Sequence, residues 1–246
     1  MKKETKGITL IALVITIIVL LILAGVTISA ITGNESIMEK AQSAKEKTDM
    51  SNEKEAIQLA AINSIIGESN DLKININKLK TNLSGIVEET SLNEITEEQT
   101  EYEVYGKTGQ LYVINEDCEV LTIEEDIEKS IDLTITDPEA VVDDGNRVKT
   151  TVAAVINKSK YQVTQIGHLY SNAETKYTGE YTIEAYENGL IKKGSKSNAN
   201  SRTAQTLDND FGVTVRGFAI INYKGYTVTL YTRTINTSFQ ELSNLE

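Results

Sequence analysis

The feature that most constrains this chain is a segment near its amino end that carries no charge. Residues 7–34 contain no Asp, Glu, Lys or Arg, and residues 8–24 are almost entirely Ile, Leu, Val and Ala. As an α-helix rising about 1.5 Å per residue, residues 8–31 would measure roughly 36 Å, more than the bilayer core of about 30 Å. The segment therefore predicts a transmembrane helix.

The charges in front of this segment predict its orientation. Lys2, Lys3 and Lys6 precede it, against a single acidic residue, Glu4. Because positively charged flanks tend to stay on the cytoplasmic side, we expect the amino terminus in the cytoplasm and the rest of the chain outside. The chain is therefore predicted to cross the membrane once, with its carboxyl-terminal domain outside the cell. A surface filament can also incorporate a protein of this kind.

Three kinds of targeting segment are compatible with such a run. A cleaved secretory signal has an apolar core of about 7 to 15 residues, followed by small residues at the cleavage site. The run here is longer, and the triplets 23–25 and 28–30 each lack a small residue at one required position. An uncut signal anchor fits both the length and the flanking charge. The third alternative is cleavage in front of the apolar helix, after Gly7.

The sequence around Gly7 resembles a known family. The string Lys6-Gly7-Ile8-Thr9-Leu10, followed by an unbroken apolar stretch, resembles the class III signal of type IV prepilins and pilin-like proteins, in the variety found in Gram-positive, clostridia-like bacteria. The resemblance implies that a prepilin peptidase cuts between Gly7 and Ile8 and that the new terminal amine of Ile8 is methylated. It also implies other pilin-like subunits and membrane lipid as partners.

The same resemblance gives the apolar helix a role in the membrane and in assembly. Most of the family has Glu at the fifth mature position, where it is thought to meet the terminal amine of a neighbouring subunit, but this chain has Ala12 there. Processing is therefore implied more strongly than polymerisation, and a minor or tip subunit fits better than a major one. The residues that receive the membrane and assembly role are Ile8, Leu10, Ile11, Ala12, Leu13, Ile15, Ile18 and Leu21.

After residue 34 the pattern predicts an amphipathic helix and a small sheet. Small and aliphatic residues recur at helical spacing over residues 35–66, with Lys and Glu between them, which predicts a helix nearly continuous with the apolar segment. Short β-rich runs from Glu101 to Ile123, separated by turns, predict a three-stranded meander packed on that helix. The acidic stretch from Ile123 to Lys129 is expected to be a linker.

The chain after residue 129 has a different pattern. Six or seven β-rich runs, among them residues 181–186, are separated by Asp-Gly, Asn-Gly and Lys-Gly turns and predict an Ig- or fibronectin-like sandwich. The predicted hairpin of residues 213–220 and 224–231 resembles the end of surface modules in clostridial exoproteins, as does the run 166–171. This looser resemblance implies a surface role.

The predicted fold class is therefore α+β. A long amino-terminal helix, transmembrane and then amphipathic, packs on a small β-meander head, and an Ig/fibronectin-like β-sandwich follows. The predicted domains are a leader peptide (1–7), a transmembrane or assembly helix (8–31), the amphipathic helix with its meander head (32–125) and the sandwich (130–246).

Composition limits the possible partners and chemistry. The formal net charge is −12, with 36 acidic and 24 basic side chains. Because nucleic-acid binding requires a basic surface, no direct contact with nucleic acid is expected. The chain has one cysteine, Cys118, so it forms no intramolecular disulfide.

No group of residues predicts catalysis, a cofactor or a metal site. The single histidine, His168, lies in a β-rich run, and the chain lacks a G-x-S-x-G nucleophile motif. Zinc would need more ligands than His168 and Cys118. The Asp- and Asn-rich stretches 143–146 and 208–210 favour turns over calcium sites. Eight of the eleven tyrosines lie between residues 161 and 231, where they form either the sandwich core or an exposed binding platform.

The predicted function is that of a non-enzymatic pilin-like or pseudopilin subunit. It would be processed by a prepilin peptidase, anchored in the membrane, and displayed or assembled at the cell surface. The alternative, from a different class, is an uncut single-pass surface protein whose β-sandwich binds an extracellular protein or carbohydrate.

Overall fold

The computed structural model of the chain forms two compact units, Met1–Val120 and Leu121–Glu246. It describes most of the sequence, with gaps at the amino terminus and in several connections. The described residues are 12–24, 37–67, 73–142, 146–172, 177–197, 202–208 and 212–244.

The first unit combines four described helices with short strands. Strands β1 and β2 form a two-stranded sheet, and β3, β4 and β5 form a three-stranded sheet in that order. The elements are α1 (12–24), α2 (Ile37–Ile62), β1 (Ile65–Ile66), β2 (Lys73–Ile74), α3 (Ile76–Leu83), α4 (Glu89–Glu94), β3 (Tyr102–Tyr105), β4 (Leu111–Ile114) and β5 (Val120–Thr122), which begins in this unit.

The second unit contains two four-stranded sheets and three short helices among its described residues. One sheet has the order β10-β9-β12-β13, and the other has the order β11-β8-β6 with β7 also paired to β8. The elements are α5 (Ile123–Ser130), β6 (Ile131–Ile135), β7 (Glu139–Val142), β8 (Asn146–Ile156), β9 (Val163–Asn172), α6 (Ile183–Glu187), β10 (Lys192–Ser197), β11 (Arg202–Asp208), β12 (Val213–Tyr223), β13 (Tyr226–Thr237) and α7 (Phe239–Ser243).

The core of the first unit lies between the second half of α2, helix α3 and the three-stranded sheet. Ile57 and Ala61 of α2 are fully buried, as are Leu79 of α3 and Val104 of β3. Ile57 and Ala61 are four residues apart and therefore lie on one face of the helix. The small Ala side chains let α2 approach its neighbours closely.

The core of the second unit requires a glycine where its two sheets meet. Gly217 of β12 lies against Val152 of the other sheet, and a Cβ at this position would come within 2.6 Å of the Val152 side chain. The backbone N–H of Gly217 donates to the Thr232 hydroxyl at 2.8 Å, where β12 has a bulge. A larger residue would force the sheets apart.

The hairpin predicted near the carboxyl end is confirmed. Strands β12 and β13 pair antiparallel, with Tyr223 opposite Tyr226 across a two-residue turn. Lys224 and Gly225 have φ angles of 46° and 88°, as a type I′ turn requires, and glycine adopts this conformation without strain.

The overall architecture predicted from the sequence is wrong. The described chain is rich in β-structure, with four small sheets and seven helices, and it contains no long apolar helix. The described part of α1, residues 12–24, spans roughly 20 Å at about 1.5 Å per residue, and α2 is rich in Lys and Glu. In the described ranges, no helix combines the length and hydropathy needed to cross a membrane.

Two local predictions in the second unit are also wrong. The expected linker after Thr122 is helix α5, because the Thr122 hydroxyl accepts from the Glu125 N–H while the Glu125 carboxylate accepts from the Thr122 N–H. The strand expected over residues 181–186 is largely helix α6, which the Thr182 hydroxyl caps by accepting from the Ala185 N–H at 3.2 Å. At α6 the cap outweighs the β-propensity of Thr, Ile and Tyr.

Candidate functional site

Helix α1 is the candidate membrane or assembly site, and its side chains are exposed along its whole length. Leu13, Leu20 and Leu21 expose 61%, 65% and 67% of their surface. The predicted assembly residues Ala12, Ile15 and Ile18 are exposed as well. The other residues predicted for processing and assembly lie outside the described residues: Gly7, Ile8, Leu10 and Ile11.

The one hydroxyl-bearing residue of α1 is satisfied within the helix. The Thr16 hydroxyl lies 2.9 Å from the carbonyl oxygen of Ala12 and 2.8 Å from that of Leu13, and it donates to these acceptors. A hydroxyl bonded in this way can enter apolar surroundings without losing a hydrogen bond to water. The outer surface of α1 is therefore suited to lipid or to apolar protein surfaces.

The solvent exposure of helix α2 changes near Met50. Residues 37–49 are all exposed, and Ile37 and Met38 expose 69% and 70% of their surface. From Met50 onward the helix is fixed to the three-stranded sheet. The first half of α2 is thus available for contacts with other molecules, whereas the second half belongs to the core.

Glu53 holds α2 to the turn between β3 and β4. Its carboxylate accepts from the backbone N–H of Thr108 at 3.1 Å and from the hydroxyl of Tyr112 at 3.1 Å. The Tyr112 hydroxyl also contacts the carbonyl oxygen of Met50 at 3.0 Å. Gly106 lies directly beneath the Glu53 carboxylate, where a Cβ would collide with it. These contacts position the helix relative to the sheet.

Gln58 and Cys118 fix α2 to the start of β5. The amide of Gln58 donates to the carbonyl oxygen of Cys118 at 2.5 Å and accepts from the N–H of Val120 at 2.9 Å. The Cys118 thiol is buried and lies 3.7 Å from the carbonyl oxygen of Ala61. Burial, aided by the nearby Asp117, raises the pKa of the Cys118 thiol. This environment suits a structural rather than a reactive cysteine.

The second unit contains a buried ionic cluster that sequence reasoning missed. Asp126 of α5 is almost fully buried and accepts from Lys158 Nζ at 2.6 Å and from the Tyr161 hydroxyl. Lys160 Nζ lies 3.4 Å away. Burial acts to raise the pKa of Asp126, but the hydrogen bonds from Lys158 and Tyr161 and the positive charge of both lysines outweigh it and lower the pKa. The cluster fixes α5 to the loop before β9.

A local sequence pattern could have revealed this helix. Thr122 and Glu125 have the spacing of a capping box, and Ile123 and Ile127 are four residues apart. The acidic residues between them favoured the interpretation as a linker. Asp126 instead lies on the buried side with Ile123 and Ile127.

His168 is a core residue of β9. Its side chain is fully buried, and neither ring nitrogen makes a hydrogen bond of standard geometry; the hydroxyl of Thr150 is likewise buried and unpaired. Burial lowers the pKa of His168 to about 4, against a smaller opposing effect from the backbone of Thr150. A histidine so enclosed is poorly placed to exchange protons with a substrate.

Of the eight tyrosines of the second unit, two are buried, five are half-buried and one is exposed. Tyr161 and Tyr181 are buried, and Tyr161 meets Tyr223 edge to face at 5.0 Å between ring centres. Tyr186 of α6 is exposed, with Lys193 Nζ 4.4 Å from its ring centre. The described side chains therefore favour the core interpretation over an extended aromatic platform.

The loops considered for calcium fall largely outside the described residues. This applies to residues 143–145 and to residues 209 and 210. Among the residues that are described, no three or more His, Cys, Asp and Glu side chains are grouped so as to hold a metal ion.

Comparison with known proteins gives little further information. No family model matches the chain, and no curated protein matches it. One similar solved structure is a proposed carbohydrate-binding protein from Bacteroides uniformis, with 13% sequence identity over 56% of this chain and 73% of that one. Its TM-score of 0.28 is too low to assign a fold or a function to this chain.

Proposed function

We propose that this chain is a non-enzymatic, pilin-like surface subunit. In this proposal a prepilin peptidase cuts between Gly7 and Ile8, and the apolar segment then holds the protein in the membrane or among other pilin-like subunits. The observation that carries the proposal is helix α1, whose aliphatic side chains are all exposed in the described chain.

The physical argument is that α1 needs an apolar environment. Exposed apolar surface costs about 25 cal/mol per Å² in water. Lipid or neighbouring apolar helices remove this cost, and the internal bonds of Thr16 let the helix enter such surroundings. A contiguous apolar surface of this kind marks a membrane or protein contact.

Helix α2 supports the assembly part of the proposal. Its second half is fixed by Glu53 and Gln58, while residues 37–49 leave Ile37 and Met38 exposed. Neighbouring subunits can therefore contact the first half without disturbing the core of the first unit.

Cleavage at Gly7 is tested by intact-mass spectrometry of the full chain co-produced with a Gram-positive prepilin peptidase. We expect the isolated protein to begin at Ile8 with one added methyl group. Gly7→Ala should leave the precursor uncut, whereas the matched variant Gly25→Ala should be processed normally. An intact amino terminus at Met1, or a cut near Ala30, contradicts the proposal.

A second candidate is an uncut membrane-anchored receptor whose second unit binds a protein or carbohydrate. The observation in its favour is a small exposed patch formed by Tyr186 and Leu190, with Lys193 beside the Tyr186 ring. Under this alternative, Gly7→Ala leaves both the mass and the location of the protein unchanged relative to the parent chain.

A further inference from the structure

The second unit contains an unpaired polar pair where its two sheets meet, and neither processing nor anchoring uses it. His168 of β9 and Thr150 of β8 are both fully buried. Within the described chain, neither ring nitrogen of His168 has a hydrogen-bond partner of standard geometry, and neither has the Thr150 hydroxyl. Because unpaired buried polar groups cost free energy, the packing at this point is sensitive to any added charge.

The strand register directs the His168 ring into the contact between the sheets. His168 lies directly opposite Gly217 of β12 and Gly194 of β10, and residues paired in this way point to the same face of a sheet. A Cβ on Gly217 would meet the side chain of Val152 on β8, so the His168 side chain also faces β8. Since both neighbours are glycines, His168 carries the only side chain of these three strands at this level of the sheet.

Water can reach the His168 ring only if the two sheets separate. Strand β9 is an interior strand between β10 and β12, so neither edge of its sheet exposes the ring. The opposite face of this sheet is covered by a separate cluster that includes Leu169, Phe218 and helix α6. Arg216 also lies on that opposite face, where it stacks on Tyr231. The sheet that contains β8 covers the face to which the ring points.

The strands around His168 contain basic residues but no acidic ones. Strands β8, β9, β10, β12 and β13 have no Asp or Glu. Lys192 and Lys196 lie two positions on either side of Gly194 along β10, and Tyr170 is the other titratable residue on this face of β9. A protonated ring would therefore meet positive charge and no counter-ion on these strands.

Acidic residues occur on the other strands of the facing sheet, away from the ring. Asp132 of β6 is exposed, and the Glu139 carboxylate of β7 lies 3.7 Å from Lys149 Nζ. Asp208 is the last residue of β11 and is paired in register with Arg147. None of these three residues lies at the level of His168.

We propose that protonation of His168 is an acid switch that opens the contact between the two sheets of the second unit and leaves the first unit folded. A charged ring held between apolar strands lacks both water and a counter-ion, and opening restores its hydration. The first unit has no comparable trigger, because the chain contains no other histidine.

Burial sets the direction and the pH range of this switch. It lowers the pKa of His168 from 6.5 to about 4, against a smaller opposing effect from the backbone of Thr150. The opened state therefore binds a proton more readily, and the equilibrium shifts towards it as the pH falls from 6.5 to 4. The lowered pKa of Asp126 keeps that carboxylate ionised in this range. Between pH 7 and 5, the equilibrium constant for opening should rise about twentyfold.

Thiol labelling of the full chain in detergent micelles tests the switch. Val152→Cys places a reporter in the contact, with Cys118 replaced by Ser, and Val155→Cys on the exposed side of β8 is the matched reference. The reagent is dithiodipyridine, which reacts with thiols in acid as well as at neutral pH. The ratio of the two labelling rates cancels the pH dependence of the reagent, and we expect it to rise about twentyfold between pH 7 and 5.

The buried native thiol of Cys118 reports on the first unit in the parent chain. Its labelling rate, divided by that of the same reference, should change less than about twofold over the same range. A constant ratio for Val152→Cys, or an equal rise for Cys118, overturns the proposal.

Three further variants assign the effect to the ring. In the Val152→Cys chain, His168→Leu and His168→Gln both remove the titrating group and should abolish the rise. Thr150→Val is the matched control, because it removes the unpaired hydroxyl but keeps the ring, and it should retain the rise. Persistence of the rise in both histidine variants, or its loss in Thr150→Val, contradicts His168 as the trigger. Circular dichroism at pH 7 establishes that each variant is folded.

The switch does not depend on the proposed surface role. Cleavage between Gly7 and Ile8 is measured by mass, whereas opening is measured by labelling within the second unit. Each proposal can therefore fail while the other stands.

Discussion

Helices α1 and α5 have opposite relations between sequence and environment. Helix α1 is made of aliphatic residues and is exposed throughout, whereas α5 contains Glu124, Glu125 and Asp126 and buries one face. In α5 a carboxylate becomes a core group because Lys158 and Tyr161 satisfy it. In α1 the described chain supplies no cover for the leucines. The hydropathy of a helix thus indicates which environment the helix requires, whereas the residues that pack against the helix determine its actual environment.

The largest predicted effect concerns α1. Leu21→Lys places a charge near the middle of the apolar run, which costs about 3 kcal/mol of insertion free energy, or more than a hundredfold in partitioning. The fraction of protein that stays in the membrane after alkaline extraction should fall sharply. Leu59→Lys, at a similarly exposed leucine of α2, is the matched control and should have no such effect. Equal membrane retention of Leu21→Lys and Leu59→Lys would contradict an apolar environment for α1.

A smaller effect is predicted for α5. Asp126→Ala removes the carboxylate and leaves Lys158 and Lys160 without their shared partner, which should cost about 2–3 kcal/mol in the free energy of unfolding. The lysines are partly exposed, so the cost is below that of a fully buried pair. Urea denaturation measures it, with Glu128→Ala on the exposed side of the same helix as control. A change below about 0.5 kcal/mol would show that the cluster does not stabilise α5.

The smallest effect is a pH dependence carried by His168. In the unfolded chain its pKa is near 6.5, but in the folded protein it is about 4, so between these values the unfolded state binds more protons. The contribution of neutral His168 is complete above pH 6.5 and is lost as the pH falls towards 4. Between pH 7 and 5 the parent chain should lose about 2 kcal/mol more stability than His168→Leu. Parallel stability profiles of the two proteins would contradict this environment for His168.

Features encoded by neighbouring residues could be predicted from the sequence, and features assembled from distant segments could not. The Lys224-Gly225 turn follows from local chemistry, and the hairpin was predicted. The need for Gly217 arises only when Val152 of another sheet lies against it. The capping box at Thr122 was local too, but its acidic residues obscured it.

The candidate sites show the same division. The apolar character of α1 was evident from composition. The buried cluster around Asp126 was not foreseen, because Lys158 and Tyr161 reach it from a separate segment. The periodicity of the sequence does not indicate which distant residues lie together in the fold.

The central claim, that α1 occupies an apolar environment in the assembled protein, is tested most directly by spin labelling in the cell envelope. Single cysteines are placed at Ile18 in α1 and at Leu59 in α2, with Cys118 replaced by Ser. We predict that the label at Ile18 is accessible to oxygen and shielded from a water-soluble nickel reagent, while the label at Leu59 is accessible to the nickel reagent. Equal access of the nickel reagent to both labels would contradict the account.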